Sequence, residues 1–203
     1  MRAEHLGPER RRPLVLDAAL RLFVERGYDA TSMDAIAQAA GVTKPVVYAC
    51  YPSKEELFAA LLDREEERTL RQIASVLPEA PDPGDPEGML ADGFTAFFRA
   101  VSESPDTYRV IMLGEGGAAA GLVRRVNAGR ERLIDVVAAL AHSWLEQRDV
   151  RGDRTAAARL IGYSVVALAE AGARAILSEP ERWTPESLGT AMARVATRGE
   201  RGL

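Results

Sequence analysis

The sequence predicts an all-α fold, and three observations carry that prediction. Apolar residues recur at i, i+3, i+4 and i+7 in one segment after another, no segment alternates with period two, and helix start and stop residues separate the segments. With 203 residues, 47% of them hydrophobic and 28% charged, the chain has enough length and apolar content to bury a core. Cys50 is the single cysteine, which excludes a disulfide framework and a cysteine-rich zinc module.

Residues 1–12 are charged, with Arg2, Arg10, Arg11 and Arg12 against Glu4 and Glu9, and read as a flexible arm. From Leu14 to Arg26, Val15, Ala18, Ala19 and Leu22 form one helical stripe, and Gly27 ends that helix. Thr31, with Asp34 three positions on, starts a second helix whose apolar face is Ile36, Ala37 and Ala40. Gly41 stops it. Thr43 caps a third helix, where Pro45 is tolerated in the first turn, and Pro52 closes it.

Ser53-Lys54-Glu55-Glu56 is a capping box that opens a fourth helix running to about Leu77. Pro78, Pro81, Pro83 and Pro86, with Gly84 and Gly88, mark a loop over 78–88. Further helices are expected at Met89–Ser102, Asp106–Leu113, Leu122–Glu146, Arg154–Leu177 and Pro185–Arg198.

The second and third helices have the spacing of a helix-turn-helix over about residues 33–52. Counted from Met33, small Ala37 stands at position five, where the helices approach most closely, and Gly41 at position nine, where the turn needs φ > 0. Ile36, Ala40, Val42, Val47 and Cys50 fill the positions that dock one helix on the other.

The run TSMDAIAQAAGVTKPVVY, Thr31 to Tyr48, resembles the DNA-binding domain of TetR-family transcriptional regulators. Its continuation YPSKEEL, Tyr51 to Leu57, resembles that family's aromatic-x-Ser-Lys-Glu-x-Leu signature. The resemblance covers about residues 11–60; beyond them it is one of length and helical content. Cys50 departs from it, since family members frequently carry histidine there. It implies a DNA-binding domain over 13–57 and a helical ligand-binding and dimerisation domain over 58–203.

A recognition helix turns its N-terminal residues toward base edges in the major groove. Thr43, Lys44, Pro45 and Val46 are placed for that, with Lys44 a donor to guanine and Pro45 and Val46 neighbours for a thymine methyl. Tyr48 is expected on a phosphate. Lys54 and Thr31 are expected at phosphates beside helix starts, and Tyr51 at the same surface or, alternatively, in the core. Only two of the 26 cationic residues are lysines, and both lie here. Residues 1–57 carry eight basic and eight acidic side chains, so local placement of cations, not net charge, must set the contacts.

The Arg154–Leu177 segment places Arg159, Glu170 and Arg174 on one narrow stripe and leaves the rest of its circumference apolar. Both sides therefore need cover. The resemblance implies a homodimer through the last two long helices. Leu160, Val165, Leu168, Gly172, Leu188, Met192 and Val195 are the interface candidates. It likewise implies a small-molecule effector among the middle helices, where Phe94, Phe97, Phe98, Tyr108, Met112 and Trp144 are the pocket candidates. Its usual regulatory sign is repression relieved by ligand.

Other readings find less support. Gly114-Glu115-Gly116-Gly117-Ala118-Ala119 fits G-x-G-x-x-A, yet that motif needs a parallel sheet around it, so it reads as an inter-helix loop. His142 and Glu146 supply two metal ligands without a third, and no nucleophile-elbow sequence appears. No cofactor, metal or enzymatic activity is expected. The longest uncharged stretches, such as Leu160–Ala169, reach half a membrane span, and the N-terminus does not read as a signal peptide. The expectation is a cytoplasmic regulator that binds double-stranded operator DNA without membrane contact. The alternative is a helical protein-interaction module with a vestigial helix-turn-helix.

Overall fold

The computed structural model describes residues 8–74, 84–115 and 120–198. Among them are nine helices and no strand: α1 (Pro8–Ala30), α2 (Met33–Ala39), α3 (Lys44–Cys50), α4 (Lys54–Ala74), α5 (Pro86–Glu103), α6 (Pro105–Glu115), α7 (Ala120–Gln147), α8 (Arg154–Ser178) and α9 (Pro185–Arg198). The described residues fall into two compact units, one of 8–67 with 106–115 and 120–126, the other of 68–74, 84–105 and 127–198.

Three local expectations are corrected. Residues 8–12, expected in a flexible arm, belong to α1, which breaks at Gly27 where φ is +79°. Ser32, not Thr31, caps α2: its hydroxyl accepts from the Ala35 N–H at 3.1 Å. Thr31 is buried instead, and its hydroxyl faces the Gly27 carbonyl at 2.8 Å and the Leu22 carbonyl at 3.2 Å. Pro86 and Gly88, expected in a loop, open α5. Asp85 accepts from the Gly88 N–H at 2.8 Å, and Pro86 needs no partner in the first turn. The rest of the proline-rich segment, 78–83, and positions 116–119 of the glycine-rich stretch lie outside the described residues.

The first unit is built on one core. Val15, Ala18, Ala19, Leu22 and Phe23 of α1 meet Ile36 of α2, Val47 of α3 and Leu57, Phe58, Leu61 and Leu62 of α4. The Phe58 ring stands edge-on to those of Phe23 and Tyr28, with centroids 4.9 and 5.0 Å away. Glu65, fully buried on α4, is held by the Thr107 hydroxyl of α6 at 2.5 Å and by Arg64 Nε at 2.8 Å. Arg64 also reaches Asp17 of α1 at 2.7 Å.

The second unit is a helical bundle. Gly189 lets α9 lie on α5, since a Cβ there would stand 2.8 Å from the backbone nitrogen of Thr95. Arg159 and Glu170 of the charged α8 stripe are paired with α7: Arg159 meets Glu131 at 2.7 Å and Asp135 at 2.8 Å, and Glu170 meets Arg130 at 2.7 Å. By length and composition alone α8 is apolar enough to cross a membrane, at mean hydropathy 1.5 over its best window, a third of which is buried within the chain.

Candidate nucleic-acid interface

The α2–α3 hairpin turns at Gly41, whose φ is +67°. A residue without Cβ suits that backbone. The Gly41 N–H donates to the Gln38 carbonyl at 3.2 Å, and the Val42 N–H to the Ala37 carbonyl at 3.0 Å. Thr43 is the N-cap of α3 in backbone geometry, but its hydroxyl makes no capping bond.

Val47 and Cys50, one turn apart, point into the core, the latter 5% exposed. That placement turns the opposite face of α3 outward. Lys44, Pro45 and Tyr48 are exposed there, Thr43 is exposed at the N-cap, and Val46 is half-buried. Cys50 thus lies on the side of α3 away from this face.

Lys44 Nζ lies 2.8 Å from one carboxylate oxygen of Asp34 and 3.0 Å from the other, and 5.9 Å from the centre of the Tyr48 ring. The Asp34 hydrogen bond holds the Lys44 pKa above that of a free lysine. These side chains share a concavity with Asp29, Ser32, Met33, Thr31 and Lys54.

Three residues expected at this surface have other employment. Lys54 donates to the carbonyls of Tyr28 at 2.9 Å, Thr31 at 3.1 Å and Asp29 at 3.5 Å, and its ammonium stands 4.3 Å from the centre of the Tyr28 ring. Its protons are taken up in tying the start of α4 to the α1–α2 turn. Tyr51 is 8% exposed and belongs to the core, where burial pushes its phenol above the ordinary value. Thr31 faces inward, as described. Sequence reasoning missed Asp34 as the partner of Lys44. The available signal was an acid in the first turn of α2 opposite a lysine at the start of α3.

Residues 15–61 match the family described as bacterial regulatory proteins, tetR family. The HTH-type transcriptional activator FasR of Mycolicibacterium smegmatis is 32% identical over 173 residues, which span 85% of this chain and 75% of that protein. The chain belongs to the TetR family. Like other TetR-family members it is a DNA-binding transcriptional regulator. The HTH-type transcriptional repressor ComR of Escherichia coli is 29% identical over 150 residues, 70% of this chain and 67% of that one. The fold also matches FadR from Bacillus subtilis, solved in complex with stearoyl-CoA, at TM-score 0.77 and 15% identity, covering 92% of this chain and 98% of that one.

The second unit of this TetR-family chain holds a cavity of about 600 Å³ walled by α5, α7, α8 and α9. Of the pocket candidates, Phe94, Phe97 and Trp144 line it. Phe98 does not: it is fully buried against Gly172, where an added Cβ would run into its ring. Tyr108 is buried in the first unit and does not line the cavity either. The Met112 side chain lies outside the described set.

Of the dimer candidates, Leu160 is 66% exposed, while Val165, Leu168, Met192 and Val195 are half-buried. Gly172 and Leu188 are buried within the unit and offer a partner nothing. Among the described residues no three His, Cys, Asp or Glu side chains gather to hold a metal ion.

Proposed function

We propose that this regulator binds a pseudo-palindromic operator as a homodimer through α3 and is released when an apolar small molecule fills the cavity of its second unit. The observation that carries the effector reading is the cavity itself. Its size falls in the range of small-molecule sites. Its wall is Met89, Leu90, Phe94, Phe97, Leu133, Val137 and their apolar neighbours, with Ser164 and Thr197 the hydroxyl-bearing residues. Among the described residues no ionisable side chain lines it, so the effector's buried part is uncharged. FadR, of the same fold, was solved with stearoyl-CoA, which makes long acyl chains a natural first probe.

Thr43, Lys44, Pro45, Val46 and Tyr48 are the proposed DNA-contacting residues; Lys44, Pro45 and Tyr48 are exposed on the outward face of α3, Thr43 is exposed at its N-cap and Val46 is half-buried. Support for the dimer comes from α8, where Leu160 and Tyr163 are large apolar side chains left exposed, 66% and 41%, in the single chain. Two copies would set their recognition helices about 34–36 Å apart, one helical turn of DNA. Release follows if the ligand prefers a state with the wrong spacing, and its effect is bounded by that preference. The sign proposed is repression, as in ComR; FasR is an activator. A regulator of chromosomal DNA works in the cytoplasm, and that is the location proposed.

Selection of bound duplexes from a random library tests the reading. The expected result is a two-fold symmetric site carrying two chains, released by stearoyl-CoA or a homologous acyl-CoA. Enrichment of no duplex would leave the helix-turn-helix structural and favour the protein-interaction alternative. Symmetric enrichment with no release by any acyl-CoA, and no other apolar compound displaced from the cavity, would remove the effector half alone.

A further inference from the structure

We infer that Asp34 is a specificity-determining residue, acting through Lys44 to reserve that ammonium for a base edge and deny it to the phosphates. The inference rests on the reading of α3 as the recognition helix. Asp34 is the second residue of α2 and Lys44 the first of α3, so the hairpin brings them together across ten positions. Both carboxylate oxygens lie within hydrogen-bonding distance of Nζ.

Folding does not require this pair. The Lys44 and Asp34 side chains are 56% and 61% exposed. Ion pairs that open to water add little stability. The consequence for DNA is larger. An ammonium has three protons; the two oxygens of one carboxylate lie too close together in direction to take two of them, so one proton bridges the pair and a proton on the far side is left for an acceptor in the groove. A phosphate approaching that proton also approaches the Asp34 charge and is repelled by it. A G·C pair suits the arrangement better, because its major-groove edge offers guanine N7 and O6 as acceptors beside the cytosine N4 amino donor. Lysine and aspartate together present the complementary donor and acceptor.

Two further observations point the same way. The other cation of the concavity, Lys54, is already held by three backbone carbonyls. Residues 1–57 carry eight basic and eight acidic side chains, so the number of cations that reach phosphates, not a net positive charge, sets sequence-independent attraction. In such a unit one released ammonium alters the balance between specific and non-specific binding.

The test compares wild type, Asp34→Asn and Asp34→Glu on two probes: the duplex that wild type enriches from a random library, and a shuffled duplex of equal length. Asp34→Asn is expected to tighten binding to the shuffled duplex and to steepen its log K against log salt by about 0.9, one added phosphate contact. The ratio of specific to non-specific affinity should fall by about fivefold or more, the discrimination one base contact supplies. Asp34→Glu should restore part of that ratio. In a Lys44→Met background, Asp34→Asn should change neither quantity. A role confined to helix stability would move the unfolding midpoint and leave the slope and ratio alone, and that result overturns the inference. If wild type enriches no duplex, the recognition-helix reading falls and the inference with it. If it enriches one and Asp34→Asn changes nothing, only the inference falls.

Discussion

The Lys54 ammonium lies 2.9 Å from the carbonyl oxygen of Tyr28 and 4.3 Å from the centre of the same residue's ring. One side chain at the start of α4 thereby closes off the end of α1, because the carbonyls beyond the Gly27 break have no helical partner. Lysine suits the position for its reach and its three donors, which meet oxygens of Tyr28, Asp29 and Thr31.

Replacing it by a chain of similar length without charge, Lys54→Met, removes those bonds: the part-buried Thr31 carbonyl loses its ammonium donor, while that of Tyr28 keeps the Thr31 N–H at 3.3 Å. The expected cost is about 2 kcal/mol, the scale of a lost hydrogen bond to a charged group. Urea unfolding should show it as a lower midpoint with the m-value unchanged. A phosphate contact would behave otherwise: stability would hold, and the salt slope of DNA binding would fall by about one.

A second cost is expected where α4 meets α6. Glu65 is fully buried, and the Thr107 hydroxyl donates to it at 2.5 Å. Thr107→Val keeps the shape and removes the donor, so a buried carboxylate oxygen loses its partner. The unfolding midpoint should drop by the equivalent of about 1–3 kcal/mol. Adding Glu65→Gln should restore part of the loss, since a neutral amide is cheaper to leave underbonded. Equal loss in single and double variants would show that the hydroxyl matters only for packing.

What was legible in the sequence was local. Ala37, Gly41, Val47 and Cys50 are fixed by spacing along fourteen residues, and each takes its expected place in the hairpin. Thr31 and Tyr51 turn into the core, and Lys54 bonds backbone carbonyls within the concavity, because partners far off in sequence decide the direction of each side chain. Thr31 bonds back nine residues to Leu22, and Lys54 reaches 26 residues back to Tyr28. The same limit applies to Phe98, whose neighbour Gly172 is on another helix, and to the Asp34–Lys44 pair, visible only once the turn is closed. Helical periodicity tells that a face is apolar. It does not tell which neighbour covers it.

The alkaline limb of the stability curve should report on the buried tyrosines. Burial holds the phenols of Tyr51 and Tyr28 above the ordinary value of 10.0, and Glu55 and Asp29 add to the effect at Tyr28. A raised pKa in the folded state means that the stabilisation is complete below the unfolded value and is lost as pH rises through the folded one. With two lysines in the chain, few ammonium groups titrate in that window. Tyr51→Phe should therefore lose less stability than wild type between about pH 9 and 11, followed by urea midpoints. Parallel curves would mean that Tyr51 ionises freely in the folded protein.

Helix α8 separates what a partner can touch from what the chain keeps for itself. Leu160 is 66% exposed, whereas Gly172, three turns along, is buried beneath the Phe98 ring. Leu160→Glu should leave the fold intact, because a side chain already in water contributes little to the core, yet place a charge in any apolar interface. Sedimentation should show a shift from dimer to monomer, with the unfolding midpoint at low concentration unmoved. Gly172→Ala should do the reverse. A Cβ there runs into Phe98 Cζ, so the ring must shift. The cost is about 1–3 kcal/mol for overpacking, partly offset by alanine's better helix propensity. Phe98→Leu added to it should recover stability by giving the methyl room. If Leu160→Glu stays dimeric and Gly172→Ala dissociates, α8 presents a different face to its partner than its exposure in one chain indicates.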